Sequence, residues 1–157
     1  MTPPDRRRLC AVLLATLLTN LGGCESQPTE VVPLEKWSDR MGFGTPADPS
    51  HWAALRSKAP ANHIIVDQQS WAELWKAWRG DEPVPEVDFR TEIVIVYTCN
   101  GPNYMQVWLE RDGSGNVKCV RSTTTSLAGP SFGYVMLRVN RAGIKTVEGH
   151  PIRPEIA

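Results

Sequence analysis

Two hydrophobic periods occur along this chain, and the helical one is clearest between Ser70 and Arg79. Apolar residues recur there at i, i+3, i+4 and i+7, which places them on one face of a helix. They are Trp71, Leu74, Trp75 and Trp78. Ser70 and Glu73 have the S-x-x-E spacing of a capping box, and Gly80 follows where a left-handed residue ends a helix easily. The pattern predicts a helix over 70–79 with a buried, tryptophan-rich face.

A period of two, or an unbroken apolar run, marks the predicted strands. Residues 92–99 are apolar enough to be buried on both faces of a sheet, whereas 105–110 alternate between apolar and polar. The same patterns predict further strands at 63–66, 117–122, 133–140 and 144–147, and a short helix at 50–58 capped by Ser50. Short strands joined by tight turns indicate an antiparallel sheet. The predicted fold is α+β: a curled antiparallel sheet, or a small open barrel or sandwich, with the tryptophan-rich helix packed on it.

The first residues have a different pattern, with three consecutive arginines at 6–8 followed by an apolar run over 9–18. A helix that spans a bilayer needs about twenty apolar residues, and this run is half that length. A short apolar run behind a cationic start is typical of a secretory signal peptide. Residues 1–23 are therefore predicted to be a signal peptide.

The signal ends in Leu21-Gly22-Gly23-Cys24, which resembles the lipobox of bacterial lipoproteins. The resemblance implies cleavage between Gly23 and Cys24 and a diacylglyceryl group on the Cys24 sulfur, with further acylation (palmitate, for example). Two or three acyl chains hold a protein on a membrane almost permanently, since each buried methylene contributes about 0.8 kcal/mol. An uncleaved signal anchor, or a secreted protein that is cut elsewhere, is the alternative.

The residue after Cys24 bears on where the protein is located, and the net charge of the mature chain bears on which partners it can bind. Glu25 follows the cysteine where the lipoprotein family uses Asp for inner-membrane retention, so the resemblance implies a cell-envelope protein at the outer membrane, where the cell has one. The chain has 17 basic and 17 acidic residues, and removal of three arginines and Asp5 leaves a net charge of about −2. This charge favours neither nucleic acid nor anionic lipid as a partner.

The prolines and the changes in hydrophobic pattern divide the chain after the signal peptide into three segments. Residues 24–36 are polar and contain two prolines, which predicts a flexible tether. Residues 37–62 are predicted to be irregular with a short helical part, and 63–157 to form the globular domain.

Two cysteines remain after the signal peptide and Cys24 are accounted for, Cys99 and Cys119. In an exported protein they are candidates for a disulfide. In a plain three-strand meander they lie on the first and third strands, about 10 Å apart, which is too far for a bridge. A curled sheet brings them closer, so a bridge and two buried thiols both stay open.

Catalytic and metal-binding patterns are missing from the sequence. No G-x-S-x-G occurs, and the three histidines (His51, His63 and His150) stand alone, without the short spacing of a zinc site. We therefore expect no enzyme activity, catalytic residue, metal or cofactor. A small envelope hydrolase that uses Cys99, or a serine, with a histidine is the alternative.

Binding is predicted at two polar surfaces. Asn103 and Tyr104 belong to the 100–104 turn at a sheet end, and Arg121, Thr123 and Thr125 lie along a polar strand edge that could pair with an extended peptide. Ordinary solvated surface is the alternative for both. The indoles of Trp71, Trp75 or Trp108 could instead stack on sugar rings, as in a carbohydrate-binding module.

The domain resembles the PrcB C-terminal-like domain of exported bacterial proteins over about residues 63–140. The matching segments are mostly hydrophobic, and a turn that ends in tyrosine accompanies them. They are 64–66, 70–75, 87–89, 92–96, the turn 101–104 and 133–139. The resemblance implies a non-catalytic domain that binds or stabilises a partner protein, sometimes a protease.

Overall fold

The structure is a computed structural model that describes residues 27–42, 48–124 and 127–153. It contains two helices and nine strands within those ranges. In chain order they are β1 (Thr29–Glu30), β2 (Glu35–Met41), α1 (Pro49–Arg56), β3 (Ile64–Ile65), α2 (Gln68–Arg79), β4 (Glu92–Asn100), β5 (Met105–Arg111), β6 (Asn116–Thr123), β7 (Phe132–Asn140), β8 (Thr146–Val147) and β9 (His150–Pro151).

The strands form two sheets. One has four strands in the order β2-β7-β4-β3 and is antiparallel throughout. The other has five strands in the order β1-β5-β6-β8-β9, with one parallel pair, β6 and β8. The sheets do not close into a barrel. The α+β prediction is confirmed, and of the arrangements proposed for it, two facing sheets correspond to the sandwich.

The four-stranded sheet is the middle of three layers, because its two central strands are buried on both faces. Alternate residues of β4 and β7 pack against α2, among them Val94, Val96 and Met136. The residues between them, such as Ile95 and Leu137, pack against the five-stranded sheet. The continuous apolar run predicted for β4 is therefore explained by contact with a helix on one side and a sheet on the other.

The tryptophan-rich face of α2 is buried as predicted. Trp71, Trp75 and Trp78 are at most 4% exposed. Each indole N–H donates to a backbone carbonyl oxygen: that of Trp71 to Pro85 at 2.9 Å, that of Trp75 to Glu82 at 3.1 Å and that of Trp78 to Leu55 at 2.9 Å. Burial with a satisfied N–H is the usual state of a core tryptophan, so Trp71 and Trp75 cannot form a stacking surface for sugar.

Both helices begin earlier than predicted, because an aspartate caps each of them. Asp67 caps α2 and its carboxylate accepts from the Ser70 backbone N–H at 2.8 Å. Asp48 caps α1 and accepts from the Ser50 backbone N–H at 2.9 Å. The two serines lie inside the first turn, and the predicted capping box is wrong. The predicted C-terminal end of α2 is confirmed, since Gly80 is its C-cap with a φ of 62°.

The chain before residue 63 is part of the fold, which corrects the predicted tether and the predicted start of the domain. Thr29–Glu30 pair with Glu110–Arg111 of β5, and β2 pairs with β7 over its whole length. Trp37 anchors β2, with its ring centroid 5.2 Å from that of Trp71. Of the predicted 24–36 tether, residues 29–30 and 35–36 lie in strands, and the predicted irregular segment begins within β2.

Candidate functional site

Two connections cross from one sheet to the other at the same end of the molecule, and Asn103 ties them together. One connection joins β4 to β5 and the other joins β6 to β7. The Asn103 side-chain N–H groups donate to the carbonyl oxygens of Asn100 and Leu127, both at 2.8 Å. Its side-chain oxygen accepts from the Leu127 N–H at 3.1 Å. Asn103 is buried, so its amide is used within the fold and is not the binding group that was predicted.

Gly133 of β7 lies against the same connection. A Cβ atom on Gly133 would be 1.9 Å from the Asn103 carbonyl oxygen and 3.0 Å from the Cys99 sulfur. The Cys99 thiol donates to that same carbonyl at 3.4 Å. This close approach requires glycine, because any side chain would push β7 away from the turn.

Tyr104 is at the surface, as predicted, and more than half of its side chain is exposed. The Arg40 guanidinium carbon lies 4.1 Å from the centroid of its ring, a cation–π geometry. The Tyr104 backbone is held by Thr124, whose side-chain oxygen accepts from the Tyr104 N–H at 3.1 Å. Thr125 lies outside the described residues.

The predicted polar strand edge is the outer edge of β6. The register of β6 on β5, together with the bond from the Thr124 N–H to the Tyr104 carbonyl at 3.1 Å, shows which backbone groups face β5. Alternate residues of an antiparallel strand direct both backbone groups to the same side. The even-numbered residues of β6 therefore bond to β5, and the odd-numbered ones direct their N–H and C=O groups outward.

The part of this outer edge nearest the 112–115 turn is covered by β8 and Glu148. β8 pairs with β6 only at 116–117, and the next residue, Glu148, continues the pairing in two ways. Its N–H donates to the Val117 carbonyl at 2.8 Å, and its carboxylate accepts from the Cys119 N–H at 3.2 Å. After Glu148 the chain turns to form β9, which pairs with β8 and not with β6. No residue of β8 or β9 therefore follows β6 past Cys119.

The rest of the edge, from the Cys119 carbonyl to Thr123, has no backbone partner within the described residues. It offers the Cys119 carbonyl and then the N–H and C=O groups of Arg121 and Thr123. Arg121 and Thr123 are both exposed. An unpaired row of alternating donors and acceptors is the chemical complement of another extended backbone.

An apolar pair lies next to this edge on the outer face of the five-stranded sheet. Trp108 of β5 and Val120 of β6 are direct cross-strand partners and are 45% and 46% exposed. Trp108 is the one indole of those proposed for sugar stacking that the structure leaves at the surface. An apolar side chain from a strand added to β6 would lie beside Val120, with Trp108 behind it.

Tyr97 supports the edge from the inside of the sandwich. The Arg121 guanidinium carbon lies 4.9 Å from the centroid of its buried ring. The same ring stacks with that of His63, and the two ring centroids are 4.6 Å apart. Its hydroxyl donates to the Glu148 carboxylate at 3.3 Å. Burial raises the pKa of Tyr97, and the neighbouring Cys119 and Glu148 act in the same direction. The hydroxyl therefore stays protonated and keeps Glu148 in place along β6.

The two remaining cysteines are free thiols, and both are half-buried. Cys99 belongs to β4 and Cys119 to β6, so they lie in facing sheets and not in one meander as supposed. The structure thus has the second of the predicted alternatives, two thiols without a bridge. Burial raises the pKa of Cys119 to about 12, and a thiol that is protonated at neutral pH is a poor nucleophile.

The histidines are dispersed. His51 is in α1 and His150 is in β9, while the His63 ring nitrogen lies 3.2 Å from the Val96 carbonyl oxygen. Within residues 27–42, 48–124 and 127–153, no side-chain hydrogen bond joins a histidine to a cysteine or a serine. The same ranges contain no group of three or more His, Cys, Asp or Glu residues arranged to hold a metal ion.

Gly23 and Cys24, the predicted cleavage and lipidation positions, lie outside the described residues. Neither α1 nor α2, the helices of the part of the chain that the structure describes, is long and apolar enough to cross a membrane. A comparison of the chain with family models, with curated proteins and with solved structures finds no significant match.

Proposed function

We propose that the protein is a lipid-anchored envelope protein whose domain binds an extended segment of a partner protein along the outer edge of β6, without catalysis. The observation that carries this proposal is the unpaired outer edge over 119–123, where five backbone groups lack a partner in the described structure. Proteins usually cover or blunt such an edge. Here the edge is exposed and has the Trp108–Val120 pair beside it.

Strand addition suits the chemistry of this edge. Main-chain hydrogen bonds provide affinity for any extended peptide, and the neighbouring side chains select among sequences. Val120 and Trp108 favour an apolar residue in the added strand, while Arg121 favours an acidic or polar residue near the other face. The preferred partner is thus an extended segment that combines apolar residues with a negative charge.

The position of the edge also fits a membrane-anchored protein. The described chain enters at Gln27, beside the 112–115 turn that joins β5 to β6, because β1 pairs with the last residues of β5. The unpaired part of β6 begins several residues beyond that turn, toward the opposite end of the sandwich. With the lipid on Cys24, the edge therefore points away from the membrane and toward proteins in the surrounding space.

The test uses two substitutions at one outward-facing residue. Thr123→Pro removes the outward N–H without removing a bond to β5, whereas Thr123→Ala removes the side chain and keeps the N–H. A photo-crosslinking amino acid is placed at Val120 in the full-length protein, in its native envelope. We expect cross-links to a partner with wild-type Thr123 and with Thr123→Ala, and their loss with Thr123→Pro.

A crosslinker at Ala54, an exposed residue of α1 on the other side of the molecule, is the matched control position. It reports contacts that do not involve β6. If Val120 gives no cross-link to a protein, or if Thr123→Pro leaves its cross-links unchanged, strand addition at this edge is ruled out.

A further inference from the structure

A second unpaired edge lies at the bottom of a groove between α2 and β3. The groove has a volume of about 580 Å³. Its floor is the edge strand and the residue after it, Val66, and its wall is the Leu74–Ala77 side of α2. β3 is the last strand of the four-stranded sheet, so the groove follows the open side of that sheet.

The pairing of β3 shows which of its backbone groups face the groove. The Val96 N–H donates to the His63 carbonyl at 2.9 Å, so residues 63 and 65 direct their backbone groups toward β4. Ile64 and Val66 direct theirs outward. The Ile64 N–H is taken by the Asn62 side chain at 3.2 Å. The Ile64 carbonyl and both backbone groups of Val66 have no partner in the described part of the chain.

The groove has charges of opposite sign along its length. The Trp78 indole donates to the Leu55 carbonyl, which brings the end of α1, and Lys58 after it, to the C-terminal half of α2. Lys58 and Lys76 both line that part of the groove, and Glu73 lines it one turn nearer the start of α2. Neither lysine belongs to an ion pair among the described residues.

We infer that this groove binds the C-terminal end of a partner polypeptide, in extended form and antiparallel to β3, with its terminal carboxylate between Lys58 and Lys76. The direction follows from the charges, because β3 runs from the lysine end toward Asp67. The peptide N–H groups meet the Ile64 and Val66 carbonyls, and a peptide carbonyl meets the Val66 N–H.

The two lysines favour a chain end over a second copy of this protein, because together they match a single terminal carboxylate. A strand within a folded sheet has further strands on its far side. A free chain end has none and can enter beside the helix. This inference is independent of the β6 edge, since α2 and β6 lie on opposite sides of the four-stranded sheet.

The experiment selects binders from a display library of random hexapeptides with free C-terminal carboxylates, using the full-length protein in detergent. An enriched peptide is then synthesised with a carboxylate or with a C-terminal amide, and its binding is measured by fluorescence anisotropy. We expect the amide to bind at least about tenfold more weakly, since it lacks the charge that pairs with the lysines. Failure to enrich any peptide, or equal binding of acid and amide, overturns the inference.

Substitutions in the groove locate the binding. The double change Lys58→Glu and Lys76→Glu alters two surface charges and is expected to weaken binding at least about tenfold. Lys118→Glu, on the outer face of the other sheet, is the matched charge control and is expected to change binding by less than about twofold.

Val66→Pro removes the outward N–H while leaving the bonds of β3 to β4 in place, and it is expected to abolish binding. Thr123→Pro, at the β6 edge, leaves binding unchanged. If Val66→Pro does not fold, the lysine changes still decide. Peptides that bind the double lysine variant as well as the wild type, or that lose binding with Thr123→Pro, contradict the assignment to this groove.

Discussion

Asn103 has a structural role that can be measured as stability. Asn103→Ala removes three hydrogen bonds and leaves the Leu127 N–H and two carbonyls without their partner. We expect the free energy of unfolding to fall by about 2–4 kcal/mol, because some of these groups regain only water. Urea denaturation of the variant and the wild type measures the difference.

Asn100→Ala is the matched control for this prediction. Asn100 is exposed, and its side chain accepts from the Arg56 guanidinium. Its removal should cost less than about 1 kcal/mol, since both groups are solvated when they separate. Equal losses for Asn103→Ala and Asn100→Ala would contradict the structural role of Asn103.

Tyr97 makes stability depend on pH in the alkaline range. Its ordinary pKa is 10.0 and burial raises it, so the folded protein holds this proton more tightly than the unfolded chain. The contribution is complete below pH 10 and is lost as the pH rises above it. The loss is about 1.4 kcal/mol per pH unit for each such group.

Tyr97→Phe removes this group and keeps the ring. Its free energy of unfolding should therefore fall less steeply than that of the wild type between pH 10 and 11. Cys119 adds a similar slope above pH 9.0, its ordinary value, in both proteins. Chemical denaturation at a series of pH values gives the two slopes, and parallel curves would show that Tyr97 is ionised in the folded state.

The turn between β4 and β5 contains a residue whose burial the sequence could not predict. Asn103 and Tyr104 are adjacent and polar on the same turn, so both were predicted to be at the surface. The structure buries the first and exposes the second. The difference depends on a connection about 24 residues later in the chain, at Leu127. No local pattern contains such a contact, because an amide that bonds to a distant loop has the same sequence environment as one that bonds to water.

At the scale of elements, the start of α2 allows the observed cap to be compared directly with the predicted one. Asp67 is the N-cap of α2, and Ser70, predicted to be the cap, is inside the first turn. Asp67→Ala should lower the free energy of unfolding by about 1 kcal/mol. Ser70→Ala should change it by less than half as much, because its hydroxyl bonds only to the Asp67 carboxylate at 2.9 Å. The reverse order, again by urea denaturation, would restore the predicted capping box.

The central strands were predictable and the first two were not. The predicted bounds of β4, β5, β6 and β7 agree with the structure to within one residue at each end, since burial imposes a regular apolar pattern on them. β2 is an edge strand with a single large anchor, Trp37, amid charged residues. β1 has two residues and both are exposed. Strands held mainly by backbone bonds leave little signal in a hydrophobic pattern.

The candidate site was predictable in part for a similar reason. A polar run over 121–126 indicates an edge, and the structure confirms that β6 has one. Which backbone groups face outward depends on the register with β5 and on where β8 ends. The α2–β3 groove depends on how far α2 lies from the edge strand β3, and the sequence alone does not give that distance.

For the whole molecule, the lipid anchor is the feature that most needs a direct measurement. Cys24→Ser removes the sulfur that would carry the diacylglyceryl group, so we expect no acylation and a block in signal cleavage. Intact mass spectrometry of the protein from its native envelope reports both changes. A variant that fractionates with membranes and has the processed mass of the wild type would contradict the lipoprotein proposal.

The described strands also change the expected distance between the domain and the membrane. A free tether over 24–36 could separate them by roughly 45 Å at full extension. Since β1 begins at Thr29, five residues connect Cys24 to the sheet, and they span at most about 18 Å. In the proposed lipoprotein, the domain would therefore be held within this distance of the lipid surface, with its 112–115 turn toward it.

Because β1 is so short, the connection between Cys24 and the sheet has a second, longer form. Two residue pairs and the bond from the Val31 N–H to the Leu109 carbonyl hold the segment to β5, and such short edge segments open locally at low cost. When β1 opens, the first attachment that remains is Leu34, whose N–H donates to the Arg138 carbonyl at 2.8 Å. The connection from Cys24 then lengthens to at most about 36 Å. In the proposed lipoprotein, opening of β1 would let the domain reach a partner farther from the bilayer while its core stays folded, and re-formation of those few bonds would restore the shorter distance.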